Sequence, residues 1–207
     1  MNPEHICDSY DFVKRGLLSA GPKDRPFIAV PMFTGTPTPE HAQSYQDILS
    51  IALIAEPWRK APSAGNRQKW LEGIAQAMSA GPCDVFLDPD IGIRLPHHMP
   101  DGIHRMKFVS TDEIAHLLRQ DQNALLLCFD HSLDRRGVGR SREAKLEALG
   151  PHGISRIYFT SHASMLAASM NSRVLDEWVA KVTSMGVPER RWHRSVDRMA
   201  AALPVPE

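Results

Sequence analysis

Apolar residues in this chain come in short unbroken runs separated by stretches of helical period. Residues 26–32 (Pro-Phe-Ile-Ala-Val-Pro-Met), 83–87, 124–129 and 154–160 are such runs, and each reads as a buried strand. Pro31 indicates that the end of the first run leaves its ladder. Between the runs, residues 8–20 put Val13 and Leu17 on one helical face, with Leu18 beside it, and stop at Gly21-Pro22. A helix over residues 38–55 starts with Thr38 as N-cap and Pro39 at the first helical position. A third, over 66–79, carries Trp70, Leu71, Ile74 and Met78 as its stripe. Ser110 to Glu113 forms a capping box ahead of Ile114, Leu117 and Leu118. Two more helices are expected over 140–149 and 172–185, and a weaker one over 195–203. Residues 106–109 read as a brief strand, and 163–169 fit strand or helix equally.

Strands alternating with helices predict an α/β fold. The expected form is a three-layer, Rossmann-like arrangement: a mostly parallel central sheet with helices on both faces, as one domain over residues 1–207. Residues 89–105, with three prolines, two glycines and three histidines, read as a long loop.

Composition narrows the class. Apolar residues make up 43% and charged residues 23% of the 207, close to the globular average. The 24 basic and 24 acidic side chains cancel, so no global field draws the chain to nucleic acid or an anionic membrane. Three cysteines without a Cys-x-x-Cys pair argue against a disulfide framework or a zinc knuckle. No apolar stretch approaches the roughly 18 residues of a membrane span. Glu4, His5 and Asp8 do not suit a signal peptide, and a cytoplasmic location is the expectation.

Ligands of open parallel sheets bind beyond the carboxyl ends of the strands. The first run is followed by Phe33-Thr34-Gly35, the second by Asp88-Pro89-Asp90, the third by Asp130-His131, and the fourth by Ser161-His162. Asp, Ser and Thr also cap helices and make turns after strands, so the inference rests on the pattern, not on any one motif. Pro89 stiffens the presentation of Asp88 and Asp90. Two carboxylates with one or two histidines suit a divalent cation such as Mg²⁺ or Mn²⁺, held by Asp88, Asp90 and His131. Such an ion would polarise a phosphoryl oxygen and activate water. Asp130, His162 and Lys14 complete the candidate catalytic set, and Thr34 and Gly92 are candidate cofactor contacts. Arg135 and Arg136, at the head of a basic stretch through Arg140, Arg142 and Lys145, are candidates for binding a phosphate-containing small molecule or nucleic acid. That stretch reads slightly better as a solvated helix face.

Other chemistries lack their motifs. No Gly-x-Ser-x-Gly elbow is present, and adjacent Ser161 and His162 on one strand would face opposite ways. Neither phosphate-cradling glycine loop occurs.

Three segments carry a resemblance: residues 8–18 (Asp-Ser-Tyr-Asp-Phe-Val-Lys-Arg-Gly-Leu-Leu), 31–34 (Pro-Met-Phe-Thr) and 86–92 (Phe-Leu-Asp-Pro-Asp-Ile-Gly). Together they resemble an uncharacterised bacterial group with an FxDPDxG motif, itself distantly similar to class I methyltransferase-like proteins. The resemblance implies that Asp88-Pro89-Asp90 stands where the Asp-Pro-Pro-aromatic motif of base methylation would, with Lys14 on the helix before the first strand. Asp90-Ile91 replaces proline–aromatic, and the glycine-rich turn that accepts S-adenosylmethionine is missing after Val30, so that cofactor is disfavoured. Three functions remain open: a metal-dependent phosphodiester hydrolase acting on nucleic acid or a nucleotide, a degenerate methyltransferase-like enzyme, and a non-catalytic binding module.

Overall fold

A computed structural model describes residue 6 and residues 8–34, 37–53, 64–132 and 138–194. Its elements run α1 (Ser9–Leu18), β1 (Phe27–Pro31), α2 (Pro39–Leu49), β2 (Ala52–Leu53), α3 (Arg67–Ser79), β3 (Asp84–Asp88), β4 (Gly92–Arg94), β5 (Phe108–Ser110), α4 (Thr111–Leu118), β6 (Leu126–Phe129), α5 (Val138–Leu149), β7 (Ser155–Thr160), β8 (Ser164–Ser169), α6 (Ser172–Ser184) and β9 (Trp192–Arg194). The expected helix over 195–203 falls outside the described residues.

The chain is α/β, but the expected mostly parallel, Rossmann-like sheet is not what forms. The seven-stranded sheet has the order β2-β1-β3-β6-β8-β7-β9. The pairs β2–β1, β1–β3 and β3–β6 are parallel, whereas β6–β8, β8–β7 and β7–β9 are antiparallel. The sheet is therefore mixed, its two halves built on opposite rules. The cause is local. Residues 161–163 make a tight turn, with the Ser161 N–H donating to the Ala163 carbonyl at 2.9 Å. A turn that short joins only antiparallel strands, so the ambiguous segment 163–169 becomes β8, folded back between β6 and β7.

Alternation along β3 and β6 divides the core. Val85 and Leu87, with Leu126 and Cys128, pack against side chains of α3, α4 and α5. Phe86, Leu127 and Phe129 pack against α1, α2 and α6. Ser110 and Glu113 form the expected capping box. Thr38 caps α2, but the helix stops at Leu49, where Ser50 turns left-handed at φ 55° and the chain enters β2.

The expected loop over 89–105 holds structure. β4 pairs in parallel with β5 as a two-stranded sheet, and 3-10 turns occupy Pro96–His98 and Gly102–Lys107. No helix among the described residues is long and apolar enough to cross a membrane.

Candidate functional site

The register of β3 on β6 decides what meets at their carboxyl ends. Leu87 is level with Cys128, so Asp88 is level with Phe129 and Asp130 lies one residue further. Paired residues of parallel strands face the same way and successive residues alternate. Asp88 therefore faces α1 and α2, while Asp130 faces α5 on the opposite side of the sheet. The carboxylates expected to share one site belong to two.

On the first face, Lys14 of α1 is buried between two carboxylates. Its Nζ donates to Asp88 Oδ2 at 2.9 Å and to Asp11 Oδ1 at 3.0 Å. Burial alone would push this lysine down, but Asp88 and Asp11 outweigh it and hold its pKa above the ordinary value. Lys14 Nζ also sits 4.4 Å from the centre of the Phe129 ring. Tyr45 of α2, fully buried, donates its hydroxyl to Asp88 Oδ2 at 2.7 Å. Burial and then the Asp88 charge drive the Tyr45 pKa well up, so the hydroxyl keeps its proton. Both donors address the same oxygen. Asp88 Oδ1 is buried and has no hydrogen-bond partner.

Beside this group is an aromatic wall. The Tyr10 ring lies 4.7 Å from that of His131, 5.3 Å from that of His162 and 5.9 Å from that of Phe129. His131 in turn lies 4.4 Å from Phe129. Partial burial, then the Lys14 charge, lower the His131 pKa, against a weaker pull from Asp130, Asp88 and Asp8. His131 and His162 are both exposed, so the wall opens to solvent.

On the second face, Asp130 is saturated. Its Oδ1 accepts from the Ile93 N–H at 3.0 Å and the Ser132 N–H at 3.0 Å, with Ser132 Oγ at 2.7 Å. Its Oδ2 accepts from Lys145 Nζ at 2.7 Å and the Tyr158 hydroxyl at 2.8 Å. The group ties β4, β6, α5 and β7 together. Gly92 serves it as well. At φ 139°, a side chain there would come within 2.9 Å of the Asp130 Cα, so only glycine lets β4 approach.

The structure thus brings together Lys14, Asp88 and His131 among the expected site residues, and His162 reaches the group through the Tyr10 ring. It separates Asp130, and it places Asp90 in a half-exposed pair with Lys107 at 3.4 Å. Thr34 follows β1 and is half-buried. Arg135 and Arg136 lie outside the described residues. Lys145, expected on a basic surface, is instead buried against Asp130. Cys83 and Cys128 are buried, and burial pushes both thiols up, so neither is an activated nucleophile. Tyr10, Tyr45, Phe129 and Tyr158 were not anticipated. Only Tyr45 left a signal, one helical stripe with Ala42 and Leu49.

The donor set does not fit the expected divalent metal. The Lys14 ammonium already neutralises Asp88, and Asp90 is paired elsewhere. Among the described residues no three His, Cys, Asp or Glu side chains are grouped to hold a cation. No known family profile matches the chain, and no curated protein matches it.

Proposed function

We propose that the chain recognises an amino group on a planar nitrogenous ring, of the kind a nucleobase carries, at the carboxyl end of β3. The observation that supports this reading is Asp88 Oδ1, a buried acceptor with no donor. A buried acceptor left unpaired costs about 1–3 kcal/mol, and a ligand N–H placed there recovers it. The wall of Tyr10, Phe129, His131 and His162 supplies ring faces on which a planar ligand stacks. Lys14 and Tyr45 both hold Oδ2, so Oδ1 is the oxygen left for a ligand. Because Oδ1 is buried, a ligand reaches it by displacing a neighbouring side chain, and His131 and His162 are the exposed members of the wall.

This reading favours the methyltransferase-like and binding-module alternatives over metal-dependent hydrolysis. The resemblance singles out Asp88 and Lys14, and the two side chains pair. Titration calorimetry with four nucleosides tests the reading. Cytidine and adenosine, which carry exocyclic amines, should bind about tenfold or more tightly than uridine and inosine, which offer a carbonyl at that position. Equal affinities across the four, or no binding by any, would overturn it.

A further inference from the structure

Six buried side-chain polar atoms among the described residues have no hydrogen-bond partner. Two are the second oxygens of Asp84 and Asp88. The other four are Arg67 Nη1, Trp70 Nε1, Arg105 Nε and Thr111 Oγ1. Three of these four are N–H donors, the fourth is a hydroxyl that can donate, and they lie on α3, on α4 and on the 3-10 turn before β5.

Arg67 links these elements. It opens α3, is 4% exposed, and lies over the Trp70 ring one turn on, 4.4 Å from its centre. Its Nε and Nη2 grip Glu113 at 2.6 and 2.5 Å, and Nη2 also donates to the Phe108 carbonyl at 2.8 Å. Glu113 in turn closes the capping box of α4, the helix that Thr111 begins. Phe108 begins β5 directly after the 3-10 turn Gly102–Lys107, which contains Arg105. One face of the Arg67 guanidinium is therefore fully used, and Nη1 points away with nothing to receive its hydrogens. Arg67 thus ties α3 to α4 through Glu113 and to β5 through Phe108, and α3, α4 and the 3-10 turn before β5 each carry a buried donor without an acceptor.

Native proteins leave few buried donors unpaired, because each costs the desolvation of its N–H without return. Several together, two of them on arginines, describe a place for an acceptor-rich, negatively charged group. Glu113 balances one positive charge, and Arg105 brings a second. We propose that Arg67, Trp70, Arg105 and Thr111 form a binding site for an oxyanion, the phosphate or carboxylate group of a ligand. The site is distinct from Asp88, which lies on the other face of the main sheet and offers an acceptor in place of donors. Guanidinium groups bind such anions through paired, charge-assisted hydrogen bonds, and an indole N–H adds a fixed neutral donor.

Trp70→Phe is the informative variant, since it keeps an aromatic ring beside Arg67 and removes the N–H, together with part of the indole's volume. Replacing Arg67 would strand Glu113 and risk the fold. The indole N–H signal of Trp70 is assigned by its loss in Trp70→Phe, and the wild-type protein is then titrated with inorganic phosphate, with acetate, and with sodium chloride at matched ionic strength. The expected result is a saturable shift of that signal with phosphate or acetate but not chloride, together with a rise in Tm. The same anion should bind Trp70→Phe and Arg105→Gln about tenfold more weakly. The anion that acts identifies the ligand group as phosphate or carboxylate. A signal that no anion moves, or equal stabilisation of wild type and both variants, would overturn the proposal.

Discussion

Asp88 and Asp130 end neighbouring strands, and each meets a buried lysine from a helix and a buried tyrosine hydroxyl. The resemblance ends at their second oxygens. That of Asp130 takes two backbone N–H groups and faces a serine hydroxyl, whereas that of Asp88 takes nothing. The lysines differ too. Lys145 has a single carboxylate, and burial, only partly offset by Asp130, lowers its pKa. Lys14 has two, and they raise its pKa in spite of burial. The same three side-chain types thus make a latch on one face of the sheet and an open acceptor on the other. What distinguishes them is not residue type but how many donors the neighbouring backbone supplies. The β4 strand reaches Asp130 and leaves Asp88 alone.

Removing each carboxylate should expose that difference. Asp130→Ala strands Lys145 in the interior without another carboxylate partner and should cost about 3–5 kcal/mol, measured by urea unfolding. Asp84 sharpens the comparison, because it too has an unpaired oxygen yet lies at the other end of β3. Burial outweighs its bonds to the Leu125 N–H and Arg25 and raises its pKa from 3.8 to about 6. A carboxyl that holds its proton more tightly folded than unfolded loses stability on ionising. This contribution is greatest below pH 3.8 and declines as pH rises to about 6. Asp84→Asn should remove that decline, on the order of 2–3 kcal/mol, and a pH series of unfolding curves checks it. Asp88→Ala should cost less than Asp130→Ala, about 1–3 kcal/mol, because Asp11 still partners Lys14. If the two alanine variants lose equal stability, the distinction between latch and open site fails. Asp90→Ala, which removes the half-exposed pair with Lys107, should change Tm by an amount equivalent to under about 1 kcal/mol.

The sequence made some of this legible and withheld the rest for identifiable reasons. Helix starts were readable because Thr38, Ser110 and Glu113 act on their own neighbours within three residues. Strand runs were readable because β3 and β6 are buried on both faces. The direction of β8 was not, since it hangs on a turn at residues 161–163 that carries no Gly or Asn-Gly signal. Lys14 and Asp88 were both expected at the site, and they meet. Asp130 was expected with them and does not, because a one-residue difference in register between β3 and β6 sends it to the opposite face. Register depends on tertiary packing and leaves no mark in a single strand. Lys145 was misplaced for a related reason: its neighbours Arg142, Glu143 and Glu147 are those of a surface helix, and only the position of Asp130 draws it inward.

The open oxygen of Asp88 is tested most directly by Asp88→Asn. The Lys14 ammonium and the Tyr45 hydroxyl both donate, so they should hold the amide oxygen and turn the amide NH₂ toward the open position. An acceptor would become a donor without a change of shape. Calorimetry on wild type and Asp88→Asn should then show the preference inverting, from cytidine over uridine to uridine over cytidine. An unchanged preference for cytidine in Asp88→Asn would contradict the account, because the group that reads the ligand would then not be Asp88.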